Sequence, residues 1–249
     1  MPISSEADVS EPTPPTRRPR RAVLVTHEAC GADDTGAVRT LLAERGFDVT
    51  HHSVFPHGEA RDAHHPLPDA ESADLVVVFG SFAHAWEPRH REWVGTEVAW
   101  VRRVLERDTP FVGICFGGQL LAEAWGGSVE AGDGAEIGML TFATDPGCPI
   151  PGGPWFSWHS DRVVLPPDVD VWSRSDFGPQ IFTRGRAVGV QFHPEVTVAL
   201  VDSWLRSGEE DSLERAHGTQ RLRDSVDADI DASQANLRKF LDWVIATWV

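Results

Sequence analysis

A chain of 249 residues, 41% apolar and 24% charged, holds enough apolar material for one large α/β domain or two small ones. No apolar run reaches the length of a membrane span, and a net charge of −16 argues against a general nucleic-acid binder. The three cysteines, at 30, 115 and 148, form no CxxC spacing and no even disulfide set, which fits a reducing cytoplasm.

Residues 1–20 are rich in Pro and charge without periodicity and read as a disordered leader. Its basic run, Arg17-Arg18-Pro19-Arg20-Arg21, is read as a solvated tail rather than a nucleic-acid arm. From 21 to 249 one domain is expected, because no linker or internal repeat interrupts the pattern. Ala22–Thr26 is an apolar run and predicts a first buried strand. Thr35–Arg45 carries Val38, Leu41 and Leu42 at helical spacing, with Gly46 where a C-cap belongs. Phe47–Val54 alternates as a second strand. Asp74–Gly80, with β-branched residues in a row and the glycine at its carboxyl end, is the clearest buried strand. Thr96–Arg107 is amphipathic, and Phe111–Ile114 reads as another buried strand.

Strands alternating with helices imply right-handed βαβ units, hence an open, mostly parallel twisted sheet with helices on both faces. In such sheets ligands sit at the carboxyl ends of the strands, so Gly80 and Cys115 are expected on one rim. Beyond Glu136 the texture changes to short β-like runs (138–144, 169–174, 179–183 and 187–192) among Pro and Gly clusters. Val196–Arg206 reads as helix and 207–231 as an acidic exposed segment. Leu237, Phe240, Leu241, Val244, Ile245 and Trp248 form the stripe of a docking terminal helix.

The stretch Gly113-Ile114-Cys115-Phe116-Gly117-Gly118-Gln119 predicts strand, sharp turn and helix, with one thiol at the apex. This is the geometry of a nucleophile elbow, and a helix N-terminus favours thiolate over thiol. Taken locally, Cys115 is equally readable as a small buried residue at a strand end. A thiol nucleophile needs a base, and the base an orienting acceptor. His193 and Glu195 are two residues apart in an extended segment, so both project to the same side. Alone, His193-Pro194-Glu195 reads as a turn with a polar His; beside Cys115 it completes a Cys-His-Glu triad.

Gly113-x-Cys115-x-Gly117-x-Gln119 together with Gly189-x-Gln191-Phe192-His193-Pro194-Glu195 resembles the class I (triad-type) glutamine amidotransferase family, whose fold is flavodoxin-like. The resemblance spans about Ala22 to Leu205 and is nearest to stand-alone members of GMP-synthase-amidotransferase type. Gly134-Ala135-Glu136-Ile137-Gly138 and Trp158-His159-Ser160-Asp161-Arg162-Val163 add to it. It implies Cys115 as nucleophile, His193 as general acid/base and Glu195 as its orienter. The backbone N–H of Phe116, with that of Gly80 or Ser81, would form the oxyanion hole. Gln119, His159 and Ser160 match substrate-holding positions, although a helix-surface Gln and a pair of turn residues are the plain alternatives. Glu136 is expected to be a structural hydrogen-bonding residue.

One departure stands out. Where the family has Gly-Gly-Pro or a near relative, this chain runs Phe79-Gly80-Ser81-Phe82-Ala83-His84-Ala85-Trp86. Phe82, His84 and Trp86 are expected to reshape the pocket mouth, with Trp155, Phe156 and Trp158 adding aromatic bulk near it or simply filling the core. His51-His52, His57 and His64-His65 have no fixed ligand spacing and no Cys partner, so no metal or cofactor is called for. The resemblance thus implies a cytoplasmic cysteine amidohydrolase that cleaves the γ-amide of glutamine or a γ-glutamyl amide through a thioester. It would act alone on a small molecule or hand ammonia to a separate synthetase or transferase chain. A non-catalytic regulatory protein on the same fold is the remaining alternative.

Overall fold

The computed structural model describes residues 18–28, 33–55, 66–206 and 218–249. Cys30, His57, His64, His65 and residues 207–217 lie outside them. A seven-stranded sheet is built from β1 (Arg20–Glu28), β2 (Phe47–Phe55), β3 (Leu75–Val78), β4 (Phe111–Ile114), β7 (Asp170–Ser175), β8 (Gly178–Arg184) and β9 (Ala187–Val190). Their order is β2-β1-β3-β4-β9-β8-β7. The run from β2 to β9 is parallel, and β8 and β7 close that edge antiparallel. This is the expected open α/β sheet.

Alternation along the strands divides the core between two faces. Val23 and Val25 of β1, with Val76 and Val78 of β3, pack under α2 (Arg91–Glu106) and α3 (Phe116–Ala124). Ala22 and Leu24, with Leu75 and Val77, pack under α1 (Gly36–Glu44) and the terminal helix α5 (Thr219–Trp248). The predicted stripe docks here: Leu237, Phe240, Leu241 and Val244 are all buried. A third cluster joins Phe156, α4 (Val198–Arg206) and the first half of α5 through Val201, Leu205, Leu222 and Val226. Among the described residues no helix is long and apolar enough to cross a membrane.

Several boundaries differ from the sequence-based expectation. Helix α2 begins at Arg91, after a 3-10 turn at Pro88–His90, because Trp93 and Val94 extend its buried stripe toward the N-terminus. The run expected at 138–144 is the end of a longer strand, β5 (Ser128–Leu140), paired antiparallel with β6 (Trp155–Val164) in a separate two-stranded sheet. That ribbon was hidden because a register shift between Ala131 and Glu136 breaks the alternation, and because much of β5 faces solvent. The last sheet strand stops at Val190 rather than Phe192. Within the segment read as acidic and exposed, Thr219–Asp231 is the first part of α5, anchored by Leu222 and Val226. Arg18 to Arg21 do not behave as a tail: Arg18 makes two hydrogen bonds to Asp74, and β1 opens at Arg20.

Truncating Phe240, which is 1% exposed against the sheet, tests the docking of α5. Phe240→Ala is expected to cost about 3–5 kcal/mol, measured as a lower denaturant midpoint in equilibrium unfolding.

Candidate active site

The carboxyl ends of β1, β3, β4 and β9 are neighbours in the sheet, and each delivers one part of the site. Strand β4 ends at Ile114, and Cys115 follows at φ +50°, ψ −106° before α3 starts at Phe116. A non-glycine residue with this backbone costs about 1–3 kcal/mol and persists only where its surroundings dictate it. Here they do. The Cys115 N–H donates to Val190 O at 2.8 Å, and the Gly117 N–H donates to Phe79 O at 3.2 Å. A Cβ on Gly117 would fall 2.1 Å from Val78 O, so only glycine lets α3 close on the end of β3.

His193, just past β9, is held by its own N–H, which donates to Phe156 O at 2.7 Å. Its ring Nδ1–H donates to Glu195 Oε1 at 2.8 Å. Glu195 is 1% exposed, and its backbone carbonyl accepts from Ala37 N–H at the start of α1. Burial disfavours a charge on His193, but the Glu195 carboxylate and the Cys115 sulfur outweigh it and push its pKa up to about 10. His193 therefore holds its proton at neutral pH.

Gly80 closes the other side. A Cβ there would stand 2.8 Å from His193 Cε1 and 3.7 Å from the Cys115 Cβ, so a side chain at this position would meet the imidazole. A small cavity of about 70 Å3 opens beside these groups, lined in part by Gly80, Ser81, Phe82, His193 and Glu195. Among the described residues no hydrogen bond engages the N–H of Phe116 or of Ser81. Of the two residues, Ser81 lines the cavity and Phe116 does not.

The remaining expectations fare differently. Phe82 lines the cavity, but His84 and Trp86 do not. They bind β6 instead, His84 Nδ1 and Trp86 Nε1 lying 2.8 and 3.0 Å from Asp161 Oδ1. The loop after β3 is thus fastened to the small sheet, not spread across the mouth. Gln119 is buried one turn into α3, its Oε1 without a hydrogen-bond partner among the described residues. His159 does not line the cavity. Its Nε2 stands 3.0 Å from Glu136 Oε2, out of hydrogen-bond alignment, and Glu136 also accepts from Gln180 at 2.8 Å. Glu136 thus has the structural surroundings expected of it. Ser160 likewise lies outside the lining, whereas Trp158 belongs to it.

Sequence reading missed Trp204 of α4, whose ring centroid is 4.9 Å from that of His193 in an edge-on arrangement, and whose neighbours include Phe156 and Trp158. It also missed His27 and Glu97, a buried pair behind Gly80. The signal for the pair was present: a His at the end of an apolar strand, and a Glu in the Trp93, Val94, Val98, Val101 stripe of α2.

The fold is an open α/β sheet with a cysteine on a strand-to-helix elbow and a buried His–Glu pair at the same rim. The model of the family "Glutamine amidotransferase class-I" matches residues 30–205, and the chain belongs to that family. It is 40% identical over 129 residues to a GMP synthase [glutamine-hydrolyzing] of Thermomicrobium roseum, a match covering 49% of this chain and 23% of that protein. The chain thus matches only about a quarter of the length of such relatives. It is 28% identical over 222 residues to the glutamine amidotransferase-like protein YfeJ of Salmonella typhimurium, covering 82% and 87% of the two chains. A crystal structure of a glutamine amidotransferase from Thermotoga maritima shares the fold with a TM-score of 0.79 at 24% identity, over 92% of this chain and 99% of that one.

The raised pKa of His193 makes stability depend on pH. The ring ordinarily titrates at 6.5 and in the folded chain at about 10. Its contribution is fully present below 6.5 and is lost as the pH rises toward 10. Urea midpoints are expected to fall across that window, and His193→Gln is expected to flatten the fall.

Proposed function

We propose that the chain is a cysteine amidohydrolase acting on the γ-amide of glutamine or on a γ-glutamyl amide. The observation that carries this reading is the position of His193, hydrogen-bonded to Glu195, with Cys115 and His193 both bordering Gly80 beside a cavity. With the proton already on His193, the Cys115 Sγ attacks the γ-carbonyl carbon, and the carbonyl π electrons move to oxygen. The N–H groups of Phe116 and Ser81, with Gly80 supplying the close approach, receive the oxyanion. Losing one such donor costs about 2.7–4 kcal/mol of barrier in hydrolases. As the tetrahedral adduct collapses, the C–N bond breaks and His193 protonates the departing ammonia or amine. This leaves a γ-glutamyl thioester. A water then gives its proton to His193 and attacks the thioester, releasing the acid and restoring the Cys115–His193 pair. Glu195 keeps the imidazole oriented throughout. Gln119, one turn into α3 and also outside the cavity lining, has a buried acceptor unpaired among the described residues and is assigned to the substrate through that acceptor. His159 and Ser160 lie outside the cavity lining and are assigned only to its surround.

A second reading rests on the similarity to glutamine-hydrolyzing GMP synthases, which matches only 23% of the length of one of them. In it, ammonia released at Cys115 passes to a synthetase or transferase on a separate chain. The segment from Phe79, which lacks the family's Gly-Gly-Pro and puts Phe82 in the cavity lining, favours the γ-glutamyl amide form of the first reading, in which the amide carries a larger amine.

Turnover of glutamine and of γ-glutamyl alkylamines by the isolated chain separates the two. The first reading expects the alkylamides to be hydrolysed at least as fast as glutamine. Cys115→Ala is expected to remove at least about 10³-fold of kcat, and Glu195→Gln about 10²–10⁴-fold. Turnover that survives Cys115→Ala would sink both readings.

A further inference from the structure

His27 is the last buried residue of β1, and neither of its ring nitrogens faces water. Nδ1 lies 2.8 Å from Gly80 O and Nε2 lies 3.0 Å from Glu97 Oε2, with side-chain exposures of 0% for His27 and 5% for Glu97. A backbone carbonyl can only accept a hydrogen bond, and so can a carboxylate. A ring set between two acceptors satisfies both only when both its nitrogens carry hydrogen. Burial opposes that charge, while Glu97, with Glu28 and the Gly80 carbonyl, raises the His27 pKa. The ring also stands edge-on to Phe116, with centroids 4.8 Å apart. The one side chain thus touches both Gly80 and Phe116.

What this does follows from peptide geometry. The Gly80 C=O and the Ser81 N–H belong to one planar trans unit and point in opposite directions. Tying the carbonyl to a buried cation therefore fixes the direction of the Ser81 N–H. It also draws electron density toward the carbonyl oxygen, which makes that N–H a stronger donor. Glu28, next in sequence, secures the following residues: Ser81 Oγ donates to Glu28 Oε1 at 2.8 Å, and the Phe82 N–H reaches Glu28 Oε2 at 3.4 Å.

We propose that His27, doubly protonated between Gly80 O and Glu97, is a positioning residue that aims and polarises the Gly80–Ser81 peptide so that Ser81 N–H can hold the oxyanion. The inference rests on the amidohydrolase reading above. It goes further by assigning a second His–Glu pair, whose His27 lies in the cavity wall with a fully buried side chain and acts through the Gly80 carbonyl.

The test measures kcat and KM on γ-glutamyl-p-nitroanilide and on glutamine for full-length wild type and three variants. In His27→Leu the carbonyl loses its donor. Its kcat is expected to fall by at least about 10-fold, up to the ~10²–10³ of losing an oxyanion donor, with KM within twofold. In His27→Asn the side-chain amide can replace Nδ1–H without charge, so part of the lost kcat should return. Glu97→Gln keeps an acceptor for Nε2–H but removes the counter-charge, and should give an intermediate loss. If His27→Leu does not fold, the Asn and Gln variants decide the matter, since both are expected below wild-type kcat. Nitrogen-15 spectra of wild type at neutral pH should show both His27 ring nitrogens protonated. Wild-type kcat in the His27 and Glu97 variants, or one bare ring nitrogen, would overturn the inference alone. A wild-type chain inactive on both substrates would instead overturn the amidohydrolase reading, and this inference with it.

Discussion

The close seating of α3 on the end of β3 is the constraint on which the rest of the rim depends. The Gly117 N–H reaches Phe79 O at 3.2 Å, and no side chain fits between that residue and Val78 O. This seating forces the turn at Cys115 into a backbone conformation that an unsupported residue would leave. It also brings the first N–H of α3 next to the loop that follows β3. The cost of the strained turn, about 1–3 kcal/mol, is small beside the apolar burial of α3, where Phe116, Leu120, Leu121 and Ala122 are all 0–1% exposed. Packing therefore decides the geometry, and the chemistry inherits it.

Around that seat, the strand order gathers groups that are far apart in the chain. His27 ends β1, Gly80 follows β3, Cys115 follows β4 and His193 follows β9, and these four strands are consecutive in the sheet. Two His–Glu pairs result. One, His193–Glu195, meets the thiol, while the other, His27–Glu97, meets the backbone of the loop opposite. Both are buried, where an unpaired charge would be costly and a paired, hydrogen-bonded one is tolerated. The aromatic surround of Phe156, Trp158 and Trp204 comes from β6 and α4, elements outside the main sheet.

Much of this was legible in the residues. The buried strands at 22–26, 75–79 and 111–114, the elbow at Cys115 and the proximity of His193 to Glu195 follow from local patterns of apolarity, glycine and spacing. The β5–β6 ribbon was not legible, because its bulge and its solvent-facing residues remove the period-2 signal on which strand reading depends. Nor was the fate of His84 and Trp86. Their partner, Asp161, is 75 or more residues away, and nothing local marks it as an acceptor.

The sequence by itself determined the alternating strands and helices of the parallel half of the sheet and the expectation that Gly80 and Cys115 meet at one rim. Those depend on short-range periodicity and on the handedness of βαβ connections, while the chemistry of the side chains there was read from a family resemblance. Only the tertiary structure decided which polar residues in apolar stretches are partners. His27 and Glu97 each look like an error of patterning on their own strand or helix. Across 70 residues of chain they become one hydrogen-bonded unit behind Gly80, because a buried donor or acceptor is tolerated only where the fold delivers its complement.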